Sequence, residues 1–256
     1  MHTKLIQDQI AREINKIDYI YDDYDRDLLA KMFKRIRQSV GAQYNYLAEI
    51  ALHPTPNAST IVLPFFEQFH SESVRAFLLP QITLDNPKLY GEVIYNGYIK
   101  FKNSSCYISD KGRPAPTHIF SRYDKALIKT KPHALKWELF SLAKNPRDII
   151  YLPSTMKTLA SWRFQEMGEQ VNRYFSAMTM SDLEFGFTKT LEDSYPTLHF
   201  MRRQLLFFAI TCSPYYPTEQ TVSNLRVWIT STDLDIRNAA KKALKVIDEE
   251  RVDGFM

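Results

Sequence analysis

The chain has 256 residues, 45% apolar and 13% aromatic, ample for a packed core and enough to exclude wholesale disorder. Its net charge is +4, and two cysteines, Cys106 and Cys212, do not make a disulfide framework, so a reducing compartment is expected. Seven glycines against thirteen prolines favour helices over a many-turned β fold, because glycine supplies the positive-φ positions of tight turns.

The opening Met1-His2-Thr3-Lys4-Leu5-Ile6-Gln7-Asp8 lacks a signal-peptide apolar core, and no apolar run reaches the roughly 18 residues of a membrane span. A soluble, cytoplasmic protein without membrane contact is the expectation. Ile6, Ile10, Ile14 and Ile17 predict a first helix. The alternating aspartates that follow, Asp22 to Asp27, have the look of a calcium loop. Leu28 and Lys34, however, stand where that loop needs glycine and a bidentate glutamate. Helix capping by Asp25 or Asp27 accounts for them better, ahead of a stripe of Leu28, Met32, Ile36 and Val40. No metal site is predicted. Tyr44, Leu47, Ala48 and Ala51 continue in helical spacing up to Pro54, and two further helices are expected between Ser59 and Leu84.

From Gly91 the texture changes. Val93-Ile94-Tyr95-Asn96-Gly97-Tyr98-Ile99-Lys100-Phe101 is β-branched and aromatic around Asn-Gly, the strongest short hairpin signal. The sequence therefore predicts a type I′ turn with Tyr95 facing Tyr98, and further strands at Cys106–Ile108 and His118–Phe120. Helical spacing returns after Pro132. Leu135 to Ala143 form a stripe ended by Asn145-Pro146, and Leu159 to Met178 read as one longer helix. Ser181 with Glu184 opens another, and Leu198 to Cys212 is strongly apolar up to Ser213-Pro214.

The last stretch, Thr218 to Ile247, is the clearest. Val222, Leu225 and Ile229 lie on one helix. Ile236, Ala239, Ala240, Ala243, Leu244 and Ile247 lie on the next, with Arg237, Lys241 and Lys245 on its other face. Thr232 with Asp235 gives a capping box, or Asp233 caps instead. Aligning Val74 with Ile236 also matches Arg75 to Arg237, Leu63 to Leu225, Phe66 to Trp228 and Ile82 to Leu244, with Pro80 in place of Lys242. Ser73-Val74-Arg75 and Asp235-Ile236-Arg237 resemble the second helix of HEAT-type repeats, over about a quarter of the chain. That resemblance implies a mainly α, solenoid-like stack of helix pairs. The expected order is helical pairs in 1–87, a basic β-rich insertion in 88–131 and helical repeats in 132–256.

None of the strong catalytic signatures is present, so no catalytic residue and no cofactor is predicted, and an enzyme is disfavoured. Cys106 with His118 would permit a thiolate nucleophile, but a half-buried cysteine and a loop histidine is the plainer reading. Charge is more informative. Residues 88–136 hold ten Lys or Arg against three acidic residues, net +7, while 1–87 are net −2 and 137–256 net −1. The partner-binding surface is therefore assigned to Lys100, Lys102, Lys111, Arg113, Arg122 and Lys125, with Tyr95 and Tyr98 as aromatic contacts. Two functions follow. One is a non-catalytic protein-binding module, an adaptor or a specific inhibitor, whose partner is acidic. The other is a nucleic-acid-binding protein that grips phosphates with the basic segment, as some HEAT-like DNA glycosylases grip DNA.

Overall fold

Asp22 is the first of the described residues. Its side chain accepts the Asp25 N–H at 2.8 Å and starts α1 (Asp23–Val40), which ends at Gly41 in the left-handed region, φ 74°. The computed structural model describes residues 22–103, 117–130, 135–179 and 198–252, which fall into two compact units. The first continues with α2 (Leu47–Leu52), α3 (Ser59–Phe66), α4 (Glu72–Asp85), a 3-10 turn (Pro87–Tyr90), α5 (Gly91–Lys102) and α6 (Thr117–Lys129).

Helix α4 is the centre of this unit. α2, α3, α5 and α6 all pack on it, and every residue from Glu72 to Leu79 is buried. A helix surrounded in this way must satisfy its polar groups internally. Its ends do so by tying down the neighbouring turns. Asp25 of α1 accepts the His70 and Ser71 N–H groups at 2.8 and 2.7 Å, just ahead of α4. At the other end, Asp85 accepts the Ser59 hydroxyl at 2.6 Å and the Asn57 N–H at 2.8 Å. Burial raises the Asp85 pKa, but these hydrogen bonds outweigh it and hold the carboxyl below its usual value. Within the helix, Arg75 is only 1% exposed and is paired with Glu72. Its Nε donates to Glu72 Oε2 at 3.2 Å and its Nη1 to the Phe69 carbonyl. Pro80 is tolerated inside α4, which runs on through it.

The predicted hairpin is corrected. Val93 to Phe101 lie in α5, so Tyr95 does not face Tyr98 across strands, and among the described residues there is no strand. The buried Ile94, Gly97, Tyr98 and Phe101 fall at i, i+3, i+4 and i+7, one face of a helix. Gly97 is needed for close approach rather than for positive φ: a Cβ there would lie 3.1 Å from Tyr123 Oη and 3.2 Å from Phe66 Cε1. Ile119 and Phe120, expected in a strand, are buried on α6, while Cys106–Ile108 lie outside the described residues. The basic insertion is thus helical where it is described, and it packs on α4.

The second unit comprises α7 (Lys136–Ala143), α8 (Pro146–Tyr151), α9 (Pro153–Ala160), α10 (Gln165–Tyr174), α11 (Leu198–Cys212), a 3-10 turn (Ser213–Tyr215), α12 (Glu219–Trp228) and α13 (Leu234–Val252). Here α11 is central, in contact with α8, α9, α10 and α13. Asn145-Pro146 not only ends α7 but starts α8, the asparagine accepting the Arg147 N–H at 3.0 Å and proline taking the first helical position. The single helix expected from Leu159 to Met178 is broken between α9 and α10 at Arg163, whose φ is 58°. The predicted helix at Ser181–Leu191 lies outside the described residues.

The C-terminal pair matches its prediction closely. Thr218 caps α12, and Asp233 rather than Thr232 caps α13 through the Asp235 and Ile236 N–H groups. Ile236, Ala240, Ala243 and Ile247 are buried, with Ala239 and Leu244 at the edge of the stripe. With Val74 set against Ile236, Phe66 and Trp228 both close their first helices, Glu72 and Leu234 both open their second, and Ser71 and Asp233 both cap. Among the described residues no helix is long and apolar enough to cross a membrane.

Removing one partner of a buried ion pair leaves the other uncompensated. Glu72→Ala should therefore cost about 3–5 kcal/mol in urea unfolding, with much of the loss recovered by a further Arg75→Met. Asp233 predicts an acid-side effect. The Arg203 guanidinium, bonded at 2.6 Å, holds its carboxyl below the usual carboxylate range. A group with a lowered folded pKa gives stability that is present above its unfolded pKa, about 3.9, and lost as pH falls through the folded value. The fall in melting temperature below about pH 4 should therefore be shallower in Asp233→Asn than in the parent.

Candidate functional site

The site is built on α6. Its inner face carries Ile119, Phe120, Tyr123, Ala126 and Leu127, all buried. Phe120 meets Phe101 edge-on with ring centroids 4.9 Å apart, and Tyr123 meets Tyr98 edge-on at 5.6 Å. Burial pushes the Tyr123 hydroxyl well above its usual pKa, with Arg75 partly offsetting it, so it stays protonated. These contacts fix the rotation of α6 about its axis. The opposite face then presents Ser121, Arg122, Lys125, Ile128 and Lys129 along a groove of about 640 Å³, whose other side is formed by Ala51, Pro80 and Thr83.

Arg122 is the most constrained of the three cations. Its guanidinium carbon stands 4.1 Å from the centroid of the Phe77 ring, and the residue is largely buried. Burial lowers its pKa from the usual arginine value, yet a guanidinium remains charged at neutral pH. Among the described residues none of Arg122, Lys125 and Lys129 has an ion-pair partner. An arginine resting on a ring and two exposed lysines, spaced along one helix face, form an arrangement that receives carboxylates or phosphates.

Of the residues assigned from the sequence, Arg122 and Lys125 line this groove, and Lys129 joins them. Lys100 is exposed on α5 but does not line it. Burial and the nearby Arg75 charge lower the Lys100 pKa, and Glu67 opposes them. Lys102 and Tyr95 are partly exposed, also outside the groove. Tyr98 is corrected: it is fully buried and has no surface to offer a partner. Lys111 and Arg113 lie outside the described residues.

An aromatic cluster in the second unit has no motif to mark it in the sequence. Trp137, 59% exposed, and Trp162 both lie 6.0 Å from Phe164 by ring centroid, and the Lys136 ammonium sits 4.8 Å from the Trp137 ring. The left-handed Arg163 turns the chain between Trp162 and Phe164. Elsewhere the chemistry is structural. Asp22, Asp25 and His70 bring their ligand atoms within 4.8 Å of one another, but each Asp25 oxygen accepts a backbone N–H. Asp22 caps α1 and contacts His70 Nδ1 at 3.1 Å, so the carboxylates are committed to helix ends. Capping, the role expected of this segment, falls to Asp22 rather than to Asp25 or Asp27. Cys212 is buried, and its thiol pKa is pushed up to about 12, which keeps it protonated at neutral pH. Cys106 lies outside the described residues. Compared with protein-family models, curated proteins and solved structures, the chain matches none.

Proposed function

We propose that this chain is a non-catalytic binding module, an adaptor or inhibitor, whose α6 groove captures an acidic segment of a protein partner. The observation that carries the reading is the row of Arg122, Lys125 and Lys129, none of which is neutralised within the described residues. The exposed lysines would steer a negatively charged partner and set the association rate. Arg122, already oriented by Phe77, loses little rotamer freedom on binding and serves as the anchor. The matching boundaries of α3–α4 and α12–α13 support a HEAT-like stack of helix pairs as the framework, since such pairs commonly build binding surfaces.

The nucleic-acid alternative draws less support. Binding of single strands combines cations with aromatic platforms for the bases. Tyr98, Phe101, Phe120 and Tyr123, four of the aromatics interleaved with the basic residues, are instead consumed by the α5–α6 contact.

Replacing Arg122, Lys125 and Lys129 together by glutamine keeps the apolar stems and removes the charge. The probes are a labelled oligoglutamate peptide and single-stranded oligothymidylate, titrated into the full chain by fluorescence anisotropy. The parent should bind the peptide more tightly than the oligonucleotide. The triple variant, melting within a few degrees of the parent, should lose about 100-fold in peptide affinity. Unchanged peptide affinity, or tighter binding of oligothymidylate by the parent, would overturn the reading.

A further inference from the structure

A separate cavity lies within the second unit. Its volume is about 620 Å³, inside the range of roughly 300–1,000 Å³ typical of small-molecule sites. Helix α11 lines it through Phe207 and Thr211, α13 through Ala239 and Val246, and the 3-10 turn through Pro214. Phe207, Pro214, Ala239 and Val246 are each only partly buried, so the concavity keeps apolar surface for an occupant to cover.

Its charges sort into two groups. Arg203 is bonded to Asp233 at 2.6 Å and to Asp235 at 2.7 Å, and Glu250 lies 3.7 Å from Arg163. Each of those ions has a partner within the protein, and the two carboxylates on Arg203 leave that group one net negative charge. Lys157, from α9, and Lys242, from α13, also line the cavity, and neither has an ion-pair partner among the described residues. Both are exposed, so their charge is open to solvent beside the apolar part of the lining. The lining is therefore amphipathic, with those two lysines beside apolar surface.

We propose that this cavity binds a small organic acid with an apolar body and one carboxylate. The body covers Phe207, Ala239 and Val246, and the carboxylate is held by Lys157 and Lys242. Lysine donates charge-assisted hydrogen bonds without fixed fork geometry, which suits a simple carboxylate on bodies of differing length.

The test is isothermal titration calorimetry on the full chain with decanoate, decanol and acetate. Decanoate should bind at one saturable site, decanol at least about tenfold more weakly, and acetate not measurably, because both the charge and the body are required. Lys157→Gln with Lys242→Gln should bring decanoate down to the affinity of decanol at an unchanged melting temperature. Ala239→Trp, at a half-exposed position inside the cavity, should abolish both. Equal affinity for decanoate and decanol, or parental decanoate affinity in either variant, would overturn the proposal.

Discussion

The first unit depends on a charge that has nowhere else to go. Arg75 sits in the first turn of its most buried helix, and a guanidinium cannot escape burial by losing its proton. It must be compensated on the spot, and Glu72 on the same helix and the Phe69 carbonyl in the preceding turn do so. That requirement shapes the α3–α4 turn, which Asp25 then ties to α1 through the His70 and Ser71 N–H groups. The remaining helices of the unit pack around the helix so fixed. In the second unit the Arg203–Asp233 cluster is part-exposed, at the start of α13.

From this framework the groove follows by steps. α4 offers a surface to α5 and α6; Gly97 lets Phe66 and Tyr123 approach α5; the four aromatics of the α5–α6 contact then set which face of α6 turns outward. Arg122 lies at the border between those faces. Its stem is drawn inward by Phe77, and its charged end stays at the groove. The same segment therefore supplies both core and surface. That explains how a stretch so rich in aromatic and basic residues forms an ordinary pair of helices.

The sequence made some of this legible and hid the rest for physical reasons. Helices from Ser59 to Asp85 and from Glu219 to Val252 were readable, because their stripes run at one period and Ser71, Thr218 and Asp233 mark their starts. Segment 93–101 was not, because its β-branched and aromatic composition masked the helical spacing of Ile94, Tyr98 and Phe101. The local Asn-Gly signal pointed to a turn, whereas the deciding contacts come from Phe66 and Tyr123, distant in the chain. The break at Arg163 carries neither glycine nor proline, so it left no mark, and the meeting of Trp137 with Trp162 across Phe164 depends on it. Charge counting singled out Arg122 and Lys125, which line the groove. It could not separate Tyr98, an amphipathic residue equally at home in a core, from a surface aromatic.

Capture of an acidic protein segment by the outward face of α6 is tested most directly by crosslinking. Ser121 is exposed and lines the groove without carrying charge, so a photo-crosslinking amino acid placed there leaves the three cations intact. Irradiation of the full chain in native extract should give a nuclease-resistant adduct with a protein bearing a cluster of acidic residues, and excess oligoglutamate should suppress it. Adducts destroyed by nuclease, or a yield no higher than from the same amino acid at exposed Lys31 of α1, would contradict the account.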